Sequence, residues 1–203
     1  MSEAPEFFRV FISIEVTVTI IERLSTLQRS MDESIPRGSV RWTPSEQMHL
    51  TLKFLGDVPG TEIPSVESAL QPVGRGHASF QLSARGLGAF PNARNPRVLW
   101  VGLEGDVENL RQLQSQIEQA VNPWAAQEEH RPFKAHLTLG RVRQEAGRKA
   151  RLIGESIQTV TAEDFGAWPV TQFRLMRSQL SPKGAIHTCL AEFPLLQTTH
   201  SRS

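Results

Sequence analysis

The stretch His49-Leu50-Thr51-Leu52 recurs letter for letter as His136-Leu137-Thr138-Leu139. Histidine occurs only six times in the 203 residues, so a repeated four-letter word holding two of them points to an internal duplication. The flanks agree. Arg97-Val98-Leu99-Trp100 echoes Arg9-Val10-Phe11-Ile12, 88 residues on. The two His-Leu-Thr-Leu words are 87 apart, and Phe173-Arg174-Leu175 echoes Phe80-Gln81-Leu82 at 93. We read strand–helix–strand–helix–strand twice, over roughly 7–90 and 97–180. A period this long, repeated twice, makes two lobes rather than a solenoid.

The elements follow from periodicity. Phe7–Glu15 is apolar and β-rich, a strand. Ile20, Ile21, Leu24, Leu27 and Met31 step by three and four, a helix over 17–31 with one buried face. Arg41–Pro44 reads as a loop, Met48–Leu55 as a strand ended by Gly56 and Pro59-Gly60, and Ile63–Leu70 as a short helix. Ala78–Leu82 is a strand, and the Gly-, Pro- and Asn-rich residues 86–96 are a loop. In the second half Asp106 is placed to cap a helix through Val121, which Asn122-Pro123 stops. A loop over 125–132 precedes a strand from Phe133 to Val142. A helix over 145–158, a turn at 181–184 and a last strand from Ile186 to Phe193 complete the chain, with 198–203 a frayed tail.

Alternation along a strand assigns the faces. Leu50, Leu52 and Phe54 share one face, which the core claims; His49, Thr51 and Lys53 share the other. In the second copy Leu137 and Leu139 point in while His136, Thr138 and Gly140 point out, and a bulge at Gly140 would swing Arg141 to the same side. Two imidazoles, two hydroxyls and one or two cations would then meet in a cleft. One imidazole can accept a proton while the other donates one. Hydroxyls and a cation suit the non-bridging oxygens of a phosphate. No carboxylate lies at ligand spacing from these histidines, so we expect no metal and no cofactor. The set describes phosphodiester hydrolysis by in-line displacement.

Composition sets limits. Net charge is +1, so any anion site is local, with Arg94, Arg97, Arg131, Arg141 and Arg143 as a basic rim. The single cysteine, Cys189, reads as a small buried hydrophobe. The acidic N-terminus is unlike a secretory leader and no apolar run would span a bilayer, so a cytoplasmic protein without membrane contact is expected. His77, His130, His187 and His200 carry no motif, and of these only His187, on the last strand, is a candidate for a substrate contact.

Paired His-x-Thr words on matching halves resemble the two-histidine phosphoesterases. The surrounding stretches are Arg41-Trp42-x-Pro44, HLTLKFLG at 49–56, Gly88-Ala-Phe-Pro91, PRVLW at 96–100, RPFKAHLTLGRVR at 131–143 and FRLMRSQLSPKG at 173–184. They resemble the RNA 2′,3′-cyclic phosphodiesterases, also called 2′-5′ RNA ligases, from about Val10 to Leu195. Relatives often carry tyrosine at Met176 and near His187; this chain has none. The resemblance implies an α+β bilobal fold of one domain. Two pseudo-twofold-related, antiparallel-rich sheets would carry helices outside and a cleft between. It implies hydrolysis of a cyclic phosphate on an RNA 3′ end or nucleotide to a 2′-phosphate, with ligation as the reverse. His49 would be the proton donor and His136 the acceptor, with Thr51, Thr138 and Arg141 on the phosphate. Lys53 is a further candidate cation, and Phe133, Phe90 and Trp42 are candidate base-stacking rings. We expect a monomer. The rivals are small cyclic nucleotides or an ADP-ribose cyclic phosphate as substrate, and a non-catalytic RNA-end binder.

Overall fold

The computed structural model describes residues 6–125, 132–144, 150–158, 163–181 and 184–197. Nine strands and four helices run in the order β1 (Phe7–Glu15), α1 (Val18–Ser34), β2 (Val40–Trp42), β3 (His49–Pro59), α2 (Ile63–Gly76), β4 (Phe80–Phe90), β5 (Val98–Gly105), α3 (Val107–Val121), β6 (His136–Val142), α4 (Ala150–Gln158), β7 (Asp164–Val170), β8 (Gln172–Ser181) and β9 (Gly184–Pro194). The expected loop at 125–132, the start of the helix at 145, the turn at 182–183 and the tail at 198–203 lie wholly or partly outside the described residues. No described helix is long and apolar enough to cross a membrane.

The strands form one antiparallel path, β7-β4-β5-β6-β3-β1-β8-β9, with β2 added beside β6. Its middle is thin: β3 and β6 meet at the single pair Leu50–Leu137. Both leucines are fully buried, and each is the centre of a His-Leu-Thr word. Two half-sheets therefore hinge on one residue pair, with a histidine just before it on either side.

Register shows the duplication more sharply than letters do. In β1, Glu15, Ile14 and Ser13 face His49, Leu50 and Thr51 of β3. In β5, Gly102, Val101 and Trp100 face His136, Leu137 and Thr138 of β6. Both strands of each pair are displaced by 87, so Arg97 answers to Val10 rather than Arg9. In the third strands Leu175 faces Ile12 and Ala89 faces Leu99, a displacement of 86. Phe173 thus answers to Leu87, and its likeness to Phe80 is a coincidence of letters.

The sequence halves are not the half-sheets. β8, from the second half, completes the sheet of β1 and β3, while β4, from the first, completes that of β5 and β6. Helices exchange too. α3 packs on β3 beside α2, and α1 packs against β7. α2 and α4 stay with their own half-sheets, packing there on the exchanged side, α2 on β8–β9 and α4 on β4. Each half-sheet buries its apolar face under one borrowed helix and one of its own.

Several elements outrun their sequence signals. β3 passes Gly56, whose φ of +81° lets the chain kink without leaving the sheet, and continues to Pro59. α2 continues through Pro72 to Gly76 because Leu70 and Gly74 are buried, Gly74 tight against Phe193 and Pro194 of β9. Tertiary packing here outweighs the cost of a helical proline. β4 extends to Phe90 through residues expected to be a loop, and Val40–Trp42, also expected as loop, is a strand paired with β6. Asp106 occupies the cap position of α3, but its carboxylate accepts from the Gln81 backbone N–H at 2.9 Å instead of capping the helix. Cys189 is exposed, not buried: Leu190 is an extra residue between the pairs Met176–Cys189 and Leu175–Ala191, which turns the cysteine outward.

Candidate active site

The polar face of each His-Leu-Thr word looks away from the helices. His49, Thr51, His136 and Thr138 are all half-buried, while the leucines between them are buried. The alternation holds as far as the threonines and then breaks. Leu52 is an extra residue between the pairs Ser13–Thr51 and Ile12–Lys53. Leu139 is the same extra residue in the second copy, between Trp100–Thr138 and Leu99–Gly140. A bulge reverses which side the following residues face.

This overturns three expectations. Lys53 does not join the cleft. It turns to the helix side, is 3 % exposed, and its Nζ lies 2.7 Å from Glu118 Oε1 on α3. Phe54, expected in the core, takes the outward place and is 59 % exposed, 5.8 Å from Phe11. Gly140, expected to point out, is the counterpart of Lys53 and points in. A Cβ there would sit 2.7 Å from Val40 and 3.0 Å from the Trp42 indole, so glycine lets β2 close on β6. Arg141 is swung outward as expected, by a bulge one residue earlier than proposed.

Each histidine is held from behind. His136 Nδ1 lies 2.7 Å from the Lys134 carbonyl, an arrangement in which Nδ1–H donates and Nε2 keeps its lone pair. For His49 the Gln47 backbone, also two residues earlier, acts in the same raising direction. The surroundings differ. His49 stacks on Phe11 at 4.9 Å and meets His187 of β9 edge-on at 5.3 Å. His136 meets the edge of Phe90 at 5.0 Å and lies 6.5 Å from Trp100, whose indole covers Gly88. Burial first, and His187 second, lower the His49 imidazole to about 4, against the raising bond to Gln47. Burial also lowers His136, opposed by the Lys134 bond and aided by the Arg141 charge. His187 is lowered by burial alone.

The remaining candidates separate. Phe90 belongs to the histidine's wall, with Lys134 Nζ 5.8 Å over its ring. Trp42 is anchored elsewhere, its indole N–H donating to Asp32 of α1 at 2.8 Å. Phe133 packs half-buried on the core. Arg94, Arg97 and Arg143 are exposed, and Arg131 lies outside the described residues. Among the described residues no three His, Cys, Asp or Glu side chains come together as a metal site would require. Reading for motifs missed Phe11 and Phe54, and had His187 as a substrate contact rather than as a neighbour of His49. Only the odd placement of a histidine and aromatics in otherwise aliphatic strands hinted at them.

A family model for the LigT-like phosphoesterases matches the chain twice, over residues 14–100 and 101–187. The two matches are displaced by the same 87 residues as the strands and cover most of the chain. The chain belongs to the LigT-like phosphoesterase family. It is accordingly a phosphoesterase, an enzyme of the hydrolase class. It is 33% identical over 189 residues to the RNA 2′,3′-cyclic phosphodiesterase of Methanothermobacter thermautotrophicus, covering 92% of this chain and 98% of that protein. The corresponding enzyme of Archaeoglobus fulgidus is 32% identical over 185 residues, covering 91% and 99%. Among solved structures, E. coli LigT complexed with 3′-AMP superposes with a TM-score of 0.75 at 25% identity, covering 95% of this chain and 100% of that one. A protein of Thermus thermophilus gives 0.69 at 32% identity, covering 92% and 97%. These likenesses agree with the α+β, two-lobed architecture built here from the strands up.

Proposed function

We propose that this LigT-like phosphoesterase hydrolyses the 2′,3′-cyclic phosphodiester at an RNA 3′ end to a 2′-phosphomonoester, by two-histidine acid–base catalysis without a metal. The observation that supports the reading is the β3–β6 junction, where the single pair Leu50–Leu137 follows directly on two symmetry-related histidines. The similar archaeal proteins carry that activity in their names, and the E. coli LigT complex with 3′-AMP supports a terminal nucleotide as the recognised unit.

His136, with Nδ1 committed to the Lys134 carbonyl, offers Nε2 as base to the attacking water. His49 gives its proton to the leaving O3′. The O3′–P bond breaks as the water O–P bond forms, and the water's proton ends on His136. The free cleft leaves His49 neutral, so the proton it donates is acquired with substrate. A phosphate anion beside both imidazoles raises their pKa values and opposes the burial that lowers them. Thr51, Thr138 and Arg141 hold the non-bridging oxygens. A 2′-5′ joining, in which a ribose 5′-hydroxyl attacks the cyclic phosphate in place of water and O3′ again leaves, uses the same two groups. Both histidines come from one chain, and each half-sheet borrows a strand from the other half, so one whole chain supplies the complete pair.

The test is an oligonucleotide ending in a 2′,3′-cyclic phosphate. Wild type should yield a 2′-phosphate end with EDTA present, and His49→Ala and His136→Ala should each lose about 10²–10⁴-fold in kcat. Loss of activity to chelator, or near-full activity in either variant, sinks the reading.

A further inference from the structure

A second arginine, Arg41, stands beside Arg141 on the histidine face, and the chemistry at the histidines does not use it. Arg41 of β2 stands directly opposite Arg141 of β6. Arg141 in turn faces Val98 of β5, and Val98 faces Phe90 of β4. Phe90 touches His136, so this whole row lies on the histidine face. Both arginines are exposed, and among the described residues the ion pairs found leave both without a carboxylate partner. Like charges directly opposite on neighbouring strands destabilise a sheet.

The backbone nevertheless fixes this pair in place. The Leu139 carbonyl at the bulge accepts from both the Thr43 N–H, at 2.8 Å, and the buried Gln28 amide of α1, at 2.9 Å. The same Gln28 amide donates to the Thr43 carbonyl at 2.9 Å. β2 is thereby locked to β6 with its arginine facing out. The Arg41 guanidinium also reaches over to the other half-sheet. Its Nη2 is 3.9 Å from the point where a Cβ on Gly184, the first residue of β9, would stand. Gln47, two residues before His49, closes the same corner with its amide on the Ala185 carbonyl at 2.7 Å. β9 then runs on to His187, against His49.

We propose that Arg41 binds a second phosphate, the phosphodiester joining the terminal nucleotide to the rest of the RNA, with Arg141 between that group and the reacting phosphate. The inference rests on the RNA-end reading above. An anion between two guanidinium groups converts their repulsion into charge-assisted hydrogen bonds, and the planar fork suits phosphate oxygens. A nucleoside 2′,3′-cyclic phosphate lacks this group, so Arg41 sets a preference for polynucleotide ends over single nucleotides.

The experiment compares kcat/KM for a nucleoside 2′,3′-cyclic phosphate and for a dinucleotide with the same cyclic end. Wild type, Arg41→Ala and a control at an exposed arginine of α3, Arg111→Ala, are assayed side by side. Wild type should favour the dinucleotide; Arg41→Ala should cut that preference about tenfold, mainly through KM, and Arg111→Ala should not. The melting temperature of Arg41→Ala at low salt should equal or exceed that of wild type, because a like-charge pair is gone. A structural arginine would lower it. An unchanged preference in Arg41→Ala overturns the inference. If wild type hydrolyses neither compound, the RNA-end reading fails. Calorimetric binding of a 2′-phosphorylated dinucleotide against a nucleoside 2′-phosphate then decides Arg41 separately: lost dinucleotide advantage in Arg41→Ala supports it, and equal advantage overturns it.

Discussion

His49 and His136 share their neighbours in sequence but not their electrostatics. Burial lowers both, and His187 pushes His49 further, to about 4. The free protein therefore holds both imidazoles neutral at pH 7, and the pH profile of kcat/KM, which reports the free enzyme, should be a bell centred below about 6.5. Bound phosphate raises both values, so the kcat profile should be centred at higher pH; coincident profiles would contradict this. Replacing His187 by Phe removes the repulsive charge and should move the His49 limb of kcat/KM to higher pH, which NMR titration of the His49 ring would confirm or refute. Lys53 provides the opposite control. It was legible as a cleft cation only while the strand was assumed to alternate without a break. The bulge at Leu52, which nothing in the letters marks, buries it against Glu118. Lys53→Met should hold kcat/KM within about twofold, with Glu118, 41% exposed, left to solvent. A large kinetic loss would return Lys53 to the site.

At the scale of elements, the strands named from alternation are present, and the ones missed have a common cause. β2 is three residues long, and its pairing is set by Gly140 and Gln28, 98 and 12 or more residues away in sequence, which no local pattern reports. The overrun of β3 past Gly56, of α2 past Pro72 and of β4 through Gly86 and Gly88 has the same origin. Turn-forming residues were accepted as stops where tertiary packing carries the element on. Gln28 is the testable member. It serves two backbone carbonyls from a buried position, at Thr43 and Leu139. Gln28→Leu should destabilise by about 1–3 kcal/mol through the unsatisfied Thr43 carbonyl and reduced hold on Leu139, measured as a lower urea midpoint. An unchanged midpoint would mean that the Thr43 N–H alone fixes the bulge.

For the whole molecule, the duplication was plain in the sequence, and the pseudo-twofold follows from it. The exchange of β4 with β8 and of α1 with α3 between half-sheets was not, because each repeat has the same pattern wherever it packs. The consequence is thermodynamic. His49, His136 and His187 all have lowered values in the folded chain, so the unfolded chain binds more protons below the ordinary value of about 6.5. Their contribution to stability is fully present above that pH and is lost as pH falls towards about 4, the folded value for His49. Urea midpoints should drop between pH 7 and pH 5, and drop less in His49→Asn; equal midpoints at the two pH values would count against the buried, neutral cleft. The claim on which the rest depends is that the two repeats close on one phosphate. A crystal structure with a nucleoside 2′-phosphate bound measures this directly. We expect Nε2 of His49 and of His136 both within hydrogen-bonding distance of oxygens on the same phosphate, with Thr51 and Thr138 alongside. A phosphate held by only one histidine, or seated away from the β3–β6 junction, would contradict it.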